Sequence, residues 1–158
     1  MRASIFLLAF LAACSGSRSE IRREDGADFS RLRRIGVPSF KDPSGHGDLI
    51  ADRVSEGLQR KLYEPVDRKA LEEVLARYKL DTRVGLGAEA LQDIQSHAPA
   101  DAILYGRVAP DRRSALVTMV ETNMGQPIMQ AVIRPKRRIF FEPEEIGDEV
   151  LRVIVGLR

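Results

Sequence analysis

The feature that most limits the fold is the segment Ala102–Val108, which reads Ala-Ile-Leu-Tyr-Gly-Arg-Val. Its first half is almost continuously apolar, whereas a strand with one face in water would alternate apolar and polar residues. A run of this kind is typical of a strand that is covered on both faces. We therefore predict an α/β fold in which this strand occupies the centre of the sheet.

Four other segments carry the spacing of amphipathic helices. Apolar residues recur at every fourth position over 49–62, and Asp48 is a candidate N-cap for this helix. Asp67 is a candidate N-cap for a second helix, and a third covers 88–97. The fourth, over 144–157, begins with an acidic turn, which suits the positive end of a helix dipole.

The remaining apolar segments predict short strands at 34–40, 63–66, 115–122 and 128–134, with a turn between the last two. The order along the chain is strand, helix, strand, two helices, strand, hairpin, helix. This order predicts a single mixed β-sheet of about five strands with helices packed on it. Two βα crossovers are followed by a β-meander and a C-terminal helix.

The amino terminus carries a processing signal, Leu-Ala-Ala-Cys at 11–14, which closes a short apolar segment after Arg2. That segment is too short to span a hydrocarbon core of ~30 Å and has the layout of a secretory signal. The pattern is that of a lipobox, in which the thiol of Cys14 takes a diacylglycerol as a thioether. We predict a lipoprotein signal peptide over 1–13 and a membrane anchor on Cys14, with palmitate among its acyl chains. The alternative is an ordinary secretory signal with an incidental cysteine.

The residues after the anchor are polar and charge-mixed, which predicts a flexible tether over 14–31 and a single folded domain over 32–158. A tether of this length reaches at most about 65 Å. Cys14 is the only cysteine, so once it is acylated the domain has no disulfide to stabilise it. The hydrophobic core must then hold the fold, and a 44% hydrophobic fraction is adequate for this. The charges of the 25 basic and 23 acidic residues nearly cancel, so the net charge of the chain does not favour binding to nucleic acid.

Three segments resemble successive blocks of one protein family. They are Ile35–Phe40 (Ile-Gly-Val-Pro-Ser-Phe), Val66–Leu75 and Ala100–Gly106. In this order and behind a lipobox, they look like the domain shared by CsgG-like lipoproteins and the N-terminal domain of TolB. Relatives in that family include the curli secretion channel, the flagellar lipoprotein FlgO and the penicillin-binding-protein activator LpoB. The resemblance implies an envelope lipoprotein whose α/β domain binds and assembles and is not an enzyme.

The same resemblance narrows the role within the family. The curli channel builds its barrel from long membrane hairpins, and a transmembrane strand needs about 9 to 11 residues with a lipid-facing apolar row. The hairpin predicted here is shorter and carries Glu121, Gln130 and Arg134. The activator lipoproteins use a long arm to cross the cell wall, which the short tether does not provide. We expect neither a pore nor a synthase activator.

Residues with catalytic or metal-binding potential are few. His46, Asp48 and Asp52 match no compact set of metal ligands, and a solvated loop with an N-cap explains them better. The glycines at 85–87 lack the context of a nucleotide-binding loop. No Gly-x-Ser-x-Gly motif occurs, and the only thiol is assigned to lipid. We predict no enzyme activity, no catalytic residues, no cofactor and no metal.

One surface feature is a candidate binding site. Four cations, Arg134, Lys136, Arg137 and Arg138, lie within five positions and precede the apolar residues 139–141. Such a cluster could contact anionic lipid headgroups or an acidic partner. The alternative is a solvated connection whose apolar residues enter the core under the last helix.

The sequence thus predicts a lipid-anchored bacterial cell-envelope protein, a binding and assembly module on the inner leaflet of the outer membrane that faces the periplasm. Ser15 fits this location, because an aspartate after the lipidated cysteine would favour retention at the inner membrane. The expected partners are the membrane, through Cys14, and other envelope proteins, without nucleic acid. The alternative is a homo-oligomer, as a ring-forming structural subunit of a CsgG-like secretion or envelope complex.

Overall fold

The computed structural model describes residues 19–78, 85–134 and 142–157, which form one α/β unit. Its five strands make a single mixed sheet, as the sequence predicts. The strands are β1 (Glu20–Arg23), β2 (Ile35–Gly36), β3 (Ala102–Val108), β4 (Ala115–Glu121) and β5 (Pro127–Ile133). The helices are α1 (Gly47–Arg60), α2 (Arg68–Leu75), α3 (Ala88–His97) and α4 (Pro143–Val155), and a 3₁₀ turn covers Phe29–Arg31.

The sheet has the spatial order β1-β5-β4-β3-β2, in which only the β2–β3 pair is parallel. Beyond β2, Arg34 makes a parallel bridge to Glu64. The two predicted crossovers therefore run outward from β2 through α1 to Glu64, and back through α2 and α3 to β3. The strand in the middle of this order is β4, and the prediction that β3 is central is wrong, because β1 adds a member at the far edge.

Two predicted strands are shorter than expected. The strand over 34–40 keeps its ladder only at Ile35–Gly36, since Pro38 has no N–H to continue it, and Lys41 then makes a separate bridge to Arg107. The strand over 63–66 is reduced to the bridge at Glu64, which is followed by a proline. Both segments nevertheless keep the predicted position and parallel direction.

Residues 20–31, predicted as part of a flexible tether, are instead built into the fold. β1 pairs antiparallel with β5, with Glu20 opposite Val132, and Phe29 in the 3₁₀ turn is only 7% exposed. All four residues of β1 are exposed. The strand therefore has no periodic pattern of apolar residues from which it could be predicted. Its partner is more than a hundred positions away, and β5 supplies the pairing that the local sequence does not indicate.

The helices cover the two faces of the sheet unequally. α1 and α4 pack side by side on one face, which we call the closed face, against Leu104, Met119 and Ile133. α2 and α3 pack on the other face, against Ile103 and Val120. These two helices do not cover the whole face. The neighbouring side chains of Arg107, Leu116 and Val132, on β3, β4 and β5, lie beyond the helices, and Leu116 is 38% exposed. We call this second face the half-open face.

The helix boundaries follow their end signals closely. Asp67 caps α2 as predicted, with its carboxylate accepting from the Ala70 N–H at 3.2 Å. α1 begins two residues before the predicted start, so the prediction that Asp48 is its N-cap is wrong. His46 takes the cap position, and Asp48 lies in the first turn, where its charge interacts favourably with the helix dipole. Among the described helices, none has both the length and the apolar character needed to cross a membrane.

Candidate functional site

Most of the predicted site residues lie outside the described parts of the chain. These are Cys14, Lys136, Arg137 and Arg138. Arg134 is described, immediately after β5, and its Nη1 lies 2.8 Å from Oε1 of Glu20. Both side chains are well exposed, so the ion pair adds little to stability. The ion pair is informative about position, because it joins Arg134, the first residue of the predicted basic cluster, to Glu20 at the start of β1.

The contacts around β1 fix the beginning of the described chain to the rest of the fold. Ser19 accepts a hydrogen bond at its Oγ from Nη2 of Arg152 at 3.3 Å, and Arg23 donates to the carbonyl oxygen of Gly156 at 3.4 Å. β1 is thus held by β5 on one side and by the end of α4. Arg134 and Glu20 therefore share one edge of the molecule, which we call the β1–β5 edge.

A second feature is a crevice between the loop after β2, the end of β3 and helix α2, with a volume of about 520 Å³. It lies past the carboxyl end of β2 and beside the last residues of β3, which include Tyr105 and Arg107. The lining side chains include aromatic, cationic and acidic groups. They are Ser39, Lys41, Glu72, Tyr78, Tyr105 and Arg107.

Hydrogen bonds fix the walls of this crevice. Oε1 of Glu72 accepts from the Ser39 N–H at 2.8 Å and from the Ser39 hydroxyl at 2.6 Å, which ties the loop to α2. Tyr78 donates its hydroxyl to Oδ2 of Asp93 at 2.7 Å. This hydrogen bond, together with desolvation, raises the pKa of Tyr78 above its ordinary value. The tyrosine therefore stays neutral and its ring is held against α3.

The two cations of the crevice lie on adjacent chains. Lys41 and Arg107 form a parallel bridge, with the Lys41 N–H donating to the Gly106 carbonyl at 2.9 Å and the Val108 N–H donating to the Lys41 carbonyl at 2.9 Å. Both residues are exposed. Within residues 19–78, 85–134 and 142–157, neither has a carboxylate within ion-pair distance. Among the described residues, they are the part of the crevice whose positive charge has no neutralising partner.

Just before β3, Asp101 anchors the entry to β2. Its Oδ2 accepts from the backbone N–H groups of Arg33 and Arg34, each at 2.8 Å. Desolvation alone would raise the pKa of Asp101, but these two N–H groups and the Arg34 guanidinium bring the pKa below its ordinary value. Asp101 is therefore ionised at neutral pH and has a structural role.

The residues considered as metal ligands in the sequence have other partners. Asp52 pairs with Arg68 at 2.6 Å, and the carboxylate of Asp48 shares the single hydroxyl hydrogen of Ser39 with Glu72. In the part of the chain that the structure describes, no three His, Cys, Asp or Glu side chains are grouped in a way that could hold a metal ion.

The sequence analysis missed the crevice, although one signal was present. Arg107 is the exposed polar residue in the otherwise buried strand β3. Its partner Lys41 lies in a polar loop where a lysine carries no information by itself. The two tyrosines come from different elements, and only the crossover between β2 and β3 brings them together.

Comparison with known proteins finds similar structures but no matching protein family. No protein-family model matches the chain, and no curated protein matches its sequence. The chain is similar in structure to PelC from Paraburkholderia phytofirmans, solved as a dodecamer. For one crystal form, of a point variant, the TM-score is 0.54 at 11% identity, covering 87% of this chain and 96% of that chain. A second form gives 0.51 at 12% identity, covering 87% and 95%.

A third similar structure is lipoprotein GNA1162 from Neisseria meningitidis, with a TM-score of 0.45 at 18% identity, covering 79% of this chain and 96% of that chain. At these identities a likeness shows the fold alone, and of these three structures the two PelC forms have TM-scores above 0.5. The chain has the fold of PelC. Its membership of the CsgG-like or TolB-like family stays a prediction.

Proposed function

We propose that this chain is a lipid-anchored cell-envelope protein that acts as a non-enzymatic assembly module. The observation that carries the proposal is the fold shared with the PelC dodecamer over 87% of the chain. The lipobox ending at Cys14 supplies the envelope address. In this proposal the module binds other envelope proteins at the outer membrane, on the leaflet that faces the periplasm.

The structure of β1 changes the geometry of the proposed anchor. Only six positions separate Cys14 from Glu20, and these span at most about 20 Å when fully extended. The tether predicted from sequence would have allowed about 65 Å. The β1–β5 edge, with Arg134, would therefore lie within about 20 Å of the lipid. This supports action at the membrane surface and weighs against reaching through the cell wall.

A ring-forming subunit is the second candidate function, and the dodecameric state of PelC favours it. Rings require two different complementary patches on each copy, because a heterologous contact must close after a full rotation. The β1–β5 edge adjoins the exposed row of the half-open face, because Glu20 lies opposite Val132, and together they are available for one side of such a contact. In this candidate the lipid anchors would gather the copies on one side of the ring.

Replacement of Cys14 by serine tests the anchor. We expect the wild-type protein in the membrane fraction, with a mass that includes the acyl chains, and Cys14→Ser in the soluble or unprocessed fraction. A matched control is Ser15→Ala, which changes the next residue and leaves the thiol. Equal solubility and equal processing of wild type and Cys14→Ser would contradict the lipoprotein proposal.

The oligomeric state tests the ring. The full-length protein, extracted from membranes in detergent, is measured by size-exclusion chromatography with light scattering. A large closed oligomer would support the ring-forming subunit. A monomer at micromolar concentration would contradict it and leave the assembly module that binds other proteins.

The basic residues are tested on lipid. The triple variant Lys136→Gln, Arg137→Gln and Arg138→Gln is compared with wild type in flotation with vesicles that contain anionic lipid. If the cluster contacts headgroups, wild-type flotation falls as salt rises, and the variant floats less at low salt. Equal flotation of the two proteins would leave the cluster as a solvated connection.

A further inference from the structure

We propose that the crevice between β2, β3 and α2 is a binding site for a small acidic sugar, a monosaccharide that carries a carboxylate or a phosphate. This goes beyond the assembly role, which needs no small ligand. The site would make the module responsive to a soluble molecule of its compartment.

The position of the crevice in the sheet is the first argument. From β2 the chain runs outward through α1 on the closed face to Glu64, and then returns through α2 and α3 on the half-open face to β3. The strand order therefore reverses between β2 and β3. In open α/β sheets, ligands bind outside the carboxyl ends of the strands at such a point. The crevice lies at this reversal, past the carboxyl end of β2 and beside the last residues of β3, and its volume of about 520 Å³ lies within the ordinary range for ligand pockets.

The charge at one end of the crevice selects an anion. Lys41 and Arg107 are held side by side by their backbone bridge, and no carboxylate of the described residues neutralises them. Two neighbouring like charges repel each other, so a bound anion between them removes an unfavourable interaction as well as making new hydrogen bonds. A guanidinium and an ammonium together suit a carboxylate or a phosphate.

The acidic part of the crevice wall, at Glu72, selects hydroxyl groups. Ser39 donates hydrogen bonds to Oε1 of Glu72, so Oε2 of the same carboxylate remains as an acceptor on the crevice wall. A second anionic group would be repelled there, whereas a sugar hydroxyl can donate to it. The ligand is therefore expected to carry both an anionic group and hydroxyl donors.

Part of the crevice wall is aromatic. Tyr78 and Tyr105 both line the crevice, and the hydroxyl of Tyr78 is already used by Asp93. What Tyr78 offers a ligand is therefore its ring. The apolar C–H face of a sugar can pack against such a ring while its hydroxyls point to Glu72. A free phosphate ion would satisfy only the cationic end.

Direct binding measurements test the proposal. The full chain, purified in detergent, is titrated by calorimetry with glucuronate, glucose 6-phosphate, glucose and inorganic phosphate. We expect binding of at least one of the two acidic sugars, weakening as salt rises, with little binding of glucose or phosphate alone. At about 10 mM ligand even a Kd near 1 mM would give most of the signal. Absence of binding by both acidic sugars, or equal binding of glucose, would overturn the proposal.

Variants locate the site. Lys41→Met and Arg107→Met should each weaken binding about tenfold, because each removes a charge-assisted hydrogen bond. The matched control is Arg33→Gln with Lys61→Gln, which removes two exposed cations at the other end of the parallel strands. Equal loss in the control would mean that the sugar responds only to overall charge.

Two further variants separate the ring from a folding effect. Tyr78→Phe keeps the ring and should bind nearly as well as wild type, whereas Tyr78→Leu should bind several-fold more weakly. Ala76→Trp fills the crevice from the exposed end of α2 and should abolish binding with an unchanged circular dichroism spectrum. Unchanged binding by Ala76→Trp would overturn the assignment to this crevice. Anchoring and oligomeric state should stay as in wild type in all these variants, so their outcome is separate from that of the assembly proposal.

Discussion

The two faces of the sheet differ in how completely helices cover them. On the closed face, α1 and α4 pack against β2, β3, β4 and β5, and Leu104 is fully buried. On the half-open face, α2 and α3 cover the side near β2 and leave Leu116 38% exposed. The proposed ligand crevice also opens on this second face. The comparison indicates that stability is concentrated on one face, while the other retains the surfaces available for binding.

The packing of the closed face extends to the backbone. Gly106 in β3 points to this face, and a Cβ at that position would lie 2.2 Å from Cε1 of Phe40. The absence of a side chain lets the Phe40 ring lie directly on the strand. On the half-open face the neighbouring positions carry Tyr105 and Arg107, which project toward the crevice. One strand thus provides close packing on one side and ligand-facing groups on the other.

Truncation of one leucine on each face gives the largest expected contrast. Leu104→Ala should lower the free energy of unfolding by about 3 to 4 kcal/mol, because it leaves a cavity in a filled core. Leu116→Ala should lower it by less than about 1 kcal/mol, because its side chain is already partly in water. Urea unfolding of both variants measures the difference. Similar losses for the two leucines would mean that the half-open face is closed by another contact in solution.

The next contrast concerns the residues before β2. Phe29→Ala should lower the free energy of unfolding by about 2 to 3 kcal/mol, because its ring packs with the closed-face core. Arg31→Ala, two positions away, is the control, since that side chain is 85% exposed. Thermal unfolding measures both. If Phe29→Ala were as stable as Arg31→Ala, these residues would behave as the flexible tether that the sequence suggested.

The fold was largely predictable because its signals are local. The period of the apolar residues located all four described helices, and Asp67 marked the start of α2. β1 could not be predicted, since a four-residue strand of exposed side chains carries no local pattern and depends on β5 for its hydrogen bonds. Propensity is a weak guide for an edge strand of this kind, where pairing across the sheet decides.

The site was less predictable than the fold, for a related reason. The basic residues after Arg134 were visible because they are consecutive in sequence. Lys41 and Arg107 are more than sixty positions apart, and only the parallel bridge between their chains places them together. A constellation assembled by a crossover has no spacing that a sequence pattern can detect.

The connection at the entry to β2 and β3 gives the third contrast. Asp101→Ala should lower the free energy of unfolding by about 2 kcal/mol, because two backbone N–H groups lose their acceptor. The pKa of Asp101 in the folded protein is lower than its ordinary value of 3.8. The ionised carboxylate therefore stabilises the fold at pH values above 3.8. This contribution is lost as the pH falls through the folded-state pKa.

The pH profile of a conservative variant isolates this charge. Asp101→Asn should be less stable than wild type at pH 7, and the difference should shrink as the pH is lowered below about 4. Asp25→Asn, at an exposed position, is the control for the substitution itself. Denaturant midpoints across this pH range provide the measurement. A constant difference between wild type and Asp101→Asn would show that geometry, and not charge, is what the aspartate contributes.

The smallest contrast is between two buried threonines. The Oγ1 of Thr118, on the half-open face, is buried and has no hydrogen-bond partner among the described residues. Thr118→Val replaces this hydroxyl by a methyl group of similar size and should raise the free energy of unfolding by about 0.5 to 1 kcal/mol. The gain arises because the hydroxyl gives up its bonds to water on folding and receives none in return.

Thr122 provides the matched case in the turn after β4. Its hydroxyl lies 2.5 Å from the Ala100 carbonyl oxygen, and it accepts from Nε2 of Gln95 at 2.9 Å. Thr122→Val should therefore lower the free energy of unfolding by about 1 to 2 kcal/mol, although the chemical change is the same. Opposite signs for the two variants in one thermal-unfolding series would confirm the contrast. A loss at Thr118 as well would mean that its hydroxyl has a partner in solution, such as a bound water, on the half-open face.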